Sequence, residues 1–471
     1  MKHWTLFLAS ILAISCHAQV DDATRQLSRD IFKQLIEINT TDSVGNVTLA
    51  AEAMAQRFRD AGFAENDIHV LGPNDRKKNL VVRFHGSGKH KPVLLIGHLD
   101  VVEARREDWT TDPFQFVEKE GYFYGRGTQD MKDGDAIMVT TLIRFKKEGY
   151  VPDRDIILAL TADEEGGKSN GVDWLLKHHR ELVDAEFCLN HDGGGIDAEH
   201  GKPVDMEVDA SEKLYADYQL TVTNPGGHSS LPVPDNAIYH LADALGRLEH
   251  YQFPLELNEV TRVYYQESSK AETGQRAADM LAILRDPPDL AAAARLSRDP
   301  IDNSTLHTTC VATRLNAGHA NNALPQMAQA IVNCRILPGH SSEEIRQTLI
   351  KLFDDPKITV RYVDNFGNIF DQAPDTKALR PPTLRPEVMQ PLQKITAEMW
   401  PGIPVIPDMS TVASDDVYTD AAGIPGYGVS GEAIDRDDIR AHGKDERVPV
   451  ESFYRAVEFY YRFLKAMTEG T

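Results

Sequence analysis

The sequence predicts an α/β fold: a mostly parallel sheet domain interrupted by a smaller, inserted α+β module of four strands and two helices. Three features of the chain predict it. Between residues 79 and 190, short apolar strand patterns alternate with helical ones, which is the order of a parallel sheet. Near Ala210 the texture changes to alternating, half-buried strands of the antiparallel kind. After Pro374 the strand and helix alternation returns, so the module interrupts a single sheet-forming domain.

Residues 24–64 read as two helices, with Leu35, Ile36 and Ile38 on one apolar stripe and residues 50–63 on another. Strands follow at 79–84 and 93–96, then an amphipathic helix at 135–148. The apolar runs 156–160 and 187–190 are two more buried strands, with a helix at 171–179 between them. In the module, the strands are 214–222, 308–315, 328–336 and 358–363, and the helices are 236–249 and 343–353. Residues 251–305 exceed what such a module needs and read as an insertion with helices at 271–284 and 289–296. A helix at 386–399, a strand near 404–407, a turn at 410–416, a strand at 426–429 and a closing helix at 451–467 complete the sheet. The expected division is 1–18 as a signal peptide, 19–210 and 375–471 as the main domain, and 211–374 as the inserted one.

With 41% hydrophobic and 26% charged residues, the 471-residue chain is globular and long enough for more than one domain. Its formal net charge of -22 argues against nucleic-acid or anionic-membrane partners, whose binding is driven by Lys and Arg meeting phosphate. Met1-Lys2-His3 is basic, residues 4–15 form an apolar stretch too short to span a bilayer, and Cys16-His17-Ala18 offers small residues at cleavage-type positions. This reads as a secretory signal cut before Gln19, giving a periplasmic or secreted protein. A lipid anchor on Cys16 is the lesser alternative, because Ala13-Ile14-Ser15 fits that pattern poorly. No later apolar run is long enough for a membrane helix. Signal removal leaves Cys188, Cys310 and Cys334. Three unpaired, buried cysteines are favoured over a Cys310–Cys334 bridge, the one pair that a single domain holds.

His98 and Asp100 end an apolar strand pattern, and Asp130, Glu164-Glu165, Asp192 and His442 follow along the chain. That is the side-chain set of a two-metal hydrolytic site. Most members follow a β-branched or Leu-rich segment, so they can sit at the carboxyl ends of parallel strands, where open α/β sheets bind ligands. Asp100, two residues beyond His98 in an extended segment, can hold the second ring nitrogen of a metal-bound imidazole. A lone His-x-Asp is more often a capped core histidine, and a lone Glu-Glu pair a solvated helix start. The company of the full set turns both toward metal chemistry.

The strings Ile96-Gly97-His98-Leu99-Asp100, Gly125-Arg126-Gly127-Thr128-Gln129-Asp130, Thr161-Ala162-Asp163-Glu164-Glu165-Gly166 and Gly226-Gly227-His228-Ser229-Ser230 resemble the zinc-dependent M20 metallopeptidases, from about Arg25 to the last helix. That family includes glutamate carboxypeptidase, aminoacylase, acetylornithine deacetylase and carnosinase. The resemblance implies two zinc ions per subunit, with cobalt or manganese sharing the ligand types. It assigns His98 and Asp192 to one ion, Glu165 and His442 to the other, and Asp130 to the bridge between them. Glu164 matches the general base. The inserted module becomes a lid or dimerisation domain, and His228 matches a histidine that reaches from it into the partner's site, which implies a homodimer. Asn322 and Arg335 match the pair that binds the substrate's free carboxylate, a task suited to a guanidinium. Ser410-Thr411-Val412-Ala413-Ser414-Asp415 departs from the family's usual Gly-Gly or Gly-Thr opening. The implied activity is hydrolysis of small peptides, of carboxypeptidase or dipeptidase type. The alternative is removal of the acyl group from N-acyl amino acids. A non-catalytic module of the same fold lies further off, because none of the seven positions from His98 to His442 is missing.

Overall fold

The computed structural model describes residues 20–374 and 383–470. The expected signal peptide and Cys16 lie outside the described residues. The α/β fold is present. Its main sheet has ten strands, and its centre runs Ile156–Thr161, Val93–His98, Phe187–Asn190 and Gly426–Gly428, each parallel to the next. The first three of these strands are buried along their whole length and apolar up to a polar last residue, as parallel strands under helices must be.

Register aligns the ends of these strands. His98 stands opposite Thr161, and Ile96 opposite Asn190, so three chains leave the sheet at the same edge. The helices Asp22–Ile36, Lys132–Glu148 and Val450–Thr468 cover one face over a core that includes Phe32, Phe123 and Phe453. Phe32 stacks on Phe453 with ring centroids 4.8 Å apart.

The flanks are antiparallel. Asn79–Phe84 pairs with Ile156–Thr161 and with Ile68–Leu71 in that sense. On the other side Lys202–Glu212 pairs antiparallel with Gly195–Glu199 and parallel with Val405–Ser410. Residues 195–198 and 205–212 alternate half-buried and buried side chains on either side of an exposed turn, and the second alternation continues into the next strand, so no residue marks where one sheet ends.

The inserted module is a five-stranded antiparallel sheet in the order Thr309–Ala317, Met327–Ile336, Leu214–Thr223, Thr359–Val363, Ile369–Phe370. The fifth strand was not expected, since two exposed residues carry no periodicity. Ala237–Glu249 and Ser342–Phe353 pack their apolar stripes on one face, burying Leu241, Leu349 and Phe353 against Tyr218, Leu220 and Val332. Cys310 and Cys334 are directly opposed in neighbouring strands and are joined by a disulfide. This corrects the expectation of three unpaired cysteines; Cys188 alone is free among the described residues, and it is buried.

The insertion holds four helices, Glu259–Ala271, Gly274–Ile283, Leu290–Leu296 and Pro300–Leu306, around a small core of Tyr265, Met280, Ile283 and Leu306. The first was missed because Val260, Thr261, Val263, Tyr264 and Tyr265 are weak helix formers. A capping box between Asn258 and Thr261 starts it, and Val260 anchors it in the core of the main domain.

Candidate metal centre

His98 is the last residue of its strand and its ring is buried. Its Nδ1 donates to the backbone carbonyl of Asp100 at 3.0 Å, which fixes the tautomer and turns Nε2 outward. The carboxylate of Asp100 does a different job from the expected one. It lies 3.8 Å from the ring and accepts the backbone N–H groups of Glu164 and Glu165, at 3.2 and 3.1 Å. Asp100 thus ties the end of the His98 strand to the turn that leaves the neighbouring strand.

That turn begins at Asp163, which has a left-handed backbone with φ 60° and is paired with Lys77. Asp192 follows two residues after the strand Phe187–Asn190, with its N–H held by the Asn190 side chain at 3.0 Å. Asp130 and His442 come from loops, and a three-stranded sheet brings them together by pairing Tyr122–Tyr124 with Arg447–Pro449.

Two buried side chains lock these loops. Glu446 forms an ion pair with Arg126 and accepts the N–H of Gln129 at 2.7 Å and of Asp130 at 3.3 Å. Arg126 also donates to the carbonyls of His442 and Gly443, at 3.3 and 2.8 Å. The Gln129 amide accepts from the N–H groups of Arg440 and Ala441 at 2.7 and 2.9 Å and donates to the carbonyl of Arg447 at 2.8 Å. Sequence reasoning did not find these positioning residues. Arg126 and Gln129 stand inside a recognised string, whereas Glu446 has no spacing signal at all.

The resulting geometry has Asp130 at its centre. One of its oxygens lies 3.0 Å from Nε2 of His98 and the other 2.9 Å from Nε2 of His442. Asp192 stands 3.8 Å from the His98 nitrogen, and Glu165 stands 2.8 Å from the His442 nitrogen. Burial works against ionisation of Asp130, but the two imidazoles hold its carboxyl below the ordinary range. Burial pushes Glu164 up to about 8, with Asp415 and Glu165 adding repulsion against the pull of His98. Burial and Asp130 raise Glu165 to about 7, while the Asp130 contact lifts His442 to about 9. A multivalent cation here would favour the ionised form of Glu164 and Glu165.

These residues fit a pair of metal ions. His98 Nε2, Asp130 Oδ1 and Glu165 Oε1 are buried and make no aligned hydrogen bond, although the first two are within 3.0 Å of each other. Two overlapping groups of metal-ligand atoms converge, His98 with Glu164 and Asp192, and His98 with Asp130 and Glu165. A third acidic group, Asp197, Asp205 and Glu207, does not line this cavity, and Arg436 reaches two of its members, Asp197 at 2.7 Å and Asp205 at 3.2 Å.

The site opens into a cavity of about 460 Å³ whose wall includes Ser410, Val412, Ala413 and Ser414, so the departing segment belongs to it. His228, Asn322 and Arg335 do not line this cavity in their own chain. His228 is exposed on a two-residue strand paired with Ala323–Leu324, next to Asn322, and accepts a bond from the Ser230 hydroxyl at 2.7 Å. Arg335 lies over the ring of Tyr215. His191 is buried against Tyr460 and close to Gly134, where a Cβ would come within 2.4 Å of its ring, and burial lowers it to about 4.

The profile of the peptidase family M20/M25/M40 matches residues 94–466. The chain belongs to this family. It is 28% identical over 385 residues to a probable carboxypeptidase S-like 2 of Dictyostelium discoideum, covering 80% of this chain and 71% of that protein. It is also 28% identical over 386 residues to the N-fatty-acyl-amino acid synthase/hydrolase PM20D1 of Homo sapiens, covering 80% and 74%. Among solved structures, an M20 family metallo-carboxypeptidase, Sso-CP2 of Sulfolobus solfataricus, superposes with a TM-score of 0.68 at 16% identity, over 95% of this chain and all of that one. The dipeptidase Dug1p of Saccharomyces cerevisiae gives 0.61 at 17% identity, over 95% and 97%. The chain is thus an enzyme of the M20 hydrolases, a peptidase or amidohydrolase.

Glu446→Gln leaves the buried Arg126 without its counter-charge and frees the Asp130 loop. Metal affinity should fall roughly 10- to 100-fold, as it does when groups supporting a metal ligand are lost. Competition against a chelator of known affinity checks this, and unchanged affinity contradicts the positioning role.

Proposed function

We propose that this M20 enzyme hydrolyses the amide bond of small peptides as a carboxypeptidase or dipeptidase, with two zinc ions bridged by Asp130. The observation that carries the reading is the position of Asp130, one oxygen toward each imidazole, with Glu164 beside the pair and outside the bridge. His98 and Asp192 are assigned to one ion, Glu165 and His442 to the other. When bound, such ions activate water and polarise an amide carbonyl.

Glu164 has the general-base role. Its carboxylate oxygen lies 4.0 Å from His98 Nε2, too far to be a close partner of the ring and near enough to face the same centre. A buried carboxylate of raised pKa accepts a proton readily and can return it to the leaving amine nitrogen. Asp100 keeps Glu164 in place through its backbone N–H. We assign Asn322 and Arg335 to the substrate's free carboxylate, and His228 to the carbonyl oxygen in the site of the partner within a homodimer, since its own cavity lies elsewhere.

N-acyl-amino-acid hydrolysis is the second reading, supported by the relatives named N-fatty-acyl-amino acid synthase/hydrolase. The acid-rich wall of the cavity favours a peptide over a fatty acyl chain. We also place the enzyme in the periplasm or outside the cell. The N-terminal pattern supports that location, and the Cys310–Cys334 disulfide suits an oxidising compartment.

Glu164→Gln should lower turnover of dipeptides by about 10² to 10⁴-fold, the range of general acid–base catalysis, while both metals stay bound. Loss of metal from Glu164→Gln, with metal kept in Glu165→Gln, would reverse the two roles. Mixing inactive Glu164→Gln subunits with inactive His228→Ala subunits should restore activity, because one site of the heterodimer then has both groups. A fully active monomer, or a verified heterodimer without activity, removes His228 from the mechanism.

A further inference from the structure

The cavity holds more carboxyl groups than the metal centre accounts for. Eight carboxyl side chains line it, and no Lys or Arg among the described residues does. Asp130, Glu164, Glu165 and Asp192 belong to the candidate metal centre, where two divalent ions would balance their charge. Asp209, Glu212, Asp416 and Asp420 remain, on the wall formed by the Lys202–Glu212 strand and the Asp416–Ala421 helix.

Two of these are built in a telling way. Glu212 is 5% exposed, and its Oε2 accepts both the N–H and the hydroxyl of Ser414, at 2.9 and 3.1 Å. Asp416 is 8% exposed, and its Oδ2 accepts from the Asn190 amide at 3.3 Å. The second oxygen of each, Glu212 Oε1 and Asp416 Oδ1, is buried without a hydrogen-bond partner. A buried acceptor left unpaired is costly, and in a cavity wall it marks a place for a donor from outside.

Two positions of this wall have room only for glycine beside the carboxylates. A Cβ at Gly426 would fall 2.2 Å from Asp416 Oδ1, and one at Gly193 would fall 2.7 Å from Asp209 Oδ2; both glycines line the cavity. The four acids do not gather like metal ligands, for no three of them bring donor atoms within 4.8 Å of one another. Such a spread suits a cation that fans out several N–H donors. Burial raises all four carboxyls, Asp209 to about 7 and Asp420 to about 6, and a positive guest supplies the charge that each lacks.

We propose that this wall, centred on Glu212 and Asp416, is a specificity subsite for a cationic side chain, a guanidinium or alkylammonium, on a residue next to the scissile amide. The proposal rests on the amide-hydrolase reading above and adds the substrate class.

The test compares arginine with citrulline, which keeps length and shape but carries no charge. kcat/KM is measured for the zinc-loaded dimer on matched dipeptides and N-acyl amino acids, with the pair placed on either side of the bond. Arginine should win by at least about tenfold on one side, the scale of hydrogen bonds to charged groups. Glu212→Gln and Asp416→Asn should each shrink that ratio severalfold with metal content retained. Equal rates for arginine and citrulline in an active wild-type enzyme overturn the subsite and leave the proposed function standing. A ratio that survives both substitutions overturns the assignment to these residues. Hydrolysis of no member of the panel overturns the amide-hydrolase reading and the subsite with it.

Discussion

The architecture depends on one carboxylate shared between two imidazoles. Asp130 lies in a loop, His98 on a strand end, and His442 on a second loop more than three hundred residues away. Their mutual distances of 3.0 and 2.9 Å are set by separate devices. The parallel register fixes His98 beside the exits of the neighbouring strands, and the small antiparallel sheet joins the Asp130 and His442 loops. Glu446, Arg126 and Gln129 then fasten the loop backbones. Without ions the arrangement concentrates carboxylates whose repulsion and burial keep protons in place, a state that multivalent cations relieve.

The same logic extends into the cavity. A carboxyl group removed from water is tolerable only with donors or an opposing charge. Metal ions would meet that condition for four acids, and the wall around Glu212 and Asp416 meets it in part through Ser414 and Asn190. The segment 410–416 supplies the Ser414 donor and the Asp416 carboxylate. It therefore shapes the cavity wall beside the candidate metal ligands.

Much of this was legible in the sequence, for identifiable reasons. Buried parallel strands read as unbroken apolar runs, so the strands ending at His98, Thr161 and Asn190 stood out, and the residues just beyond them became candidates. Closure of the site was not legible. Glu446 lies 320 residues from Arg126, and the pairing of Arg447–Pro449 with Tyr122–Tyr124 is what brings the two together. Asp100 looked like a partner for the His98 ring because spacing places it on the same side. In the fold the nearer carbonyl takes that role, and the carboxylate is drawn to two free N–H groups across the strand. The Cys310–Cys334 bridge required knowing that their strands are neighbours in register, and the helix Glu259–Ala271 forms against propensity because its cap and Val260 are fixed from outside.

The central claim is that Asp130 joins two metal ions in one site. Metal content per chain, measured by elemental mass spectrometry on the wild type and on Asp130→Ala after dialysis against zinc-containing buffer, tests it most directly. The account predicts two ions per chain in the wild type and the loss of both from the folded variant, since neither half-site keeps its shared oxygen donor. One ion per wild-type chain, or two ions retained by Asp130→Ala, would contradict it.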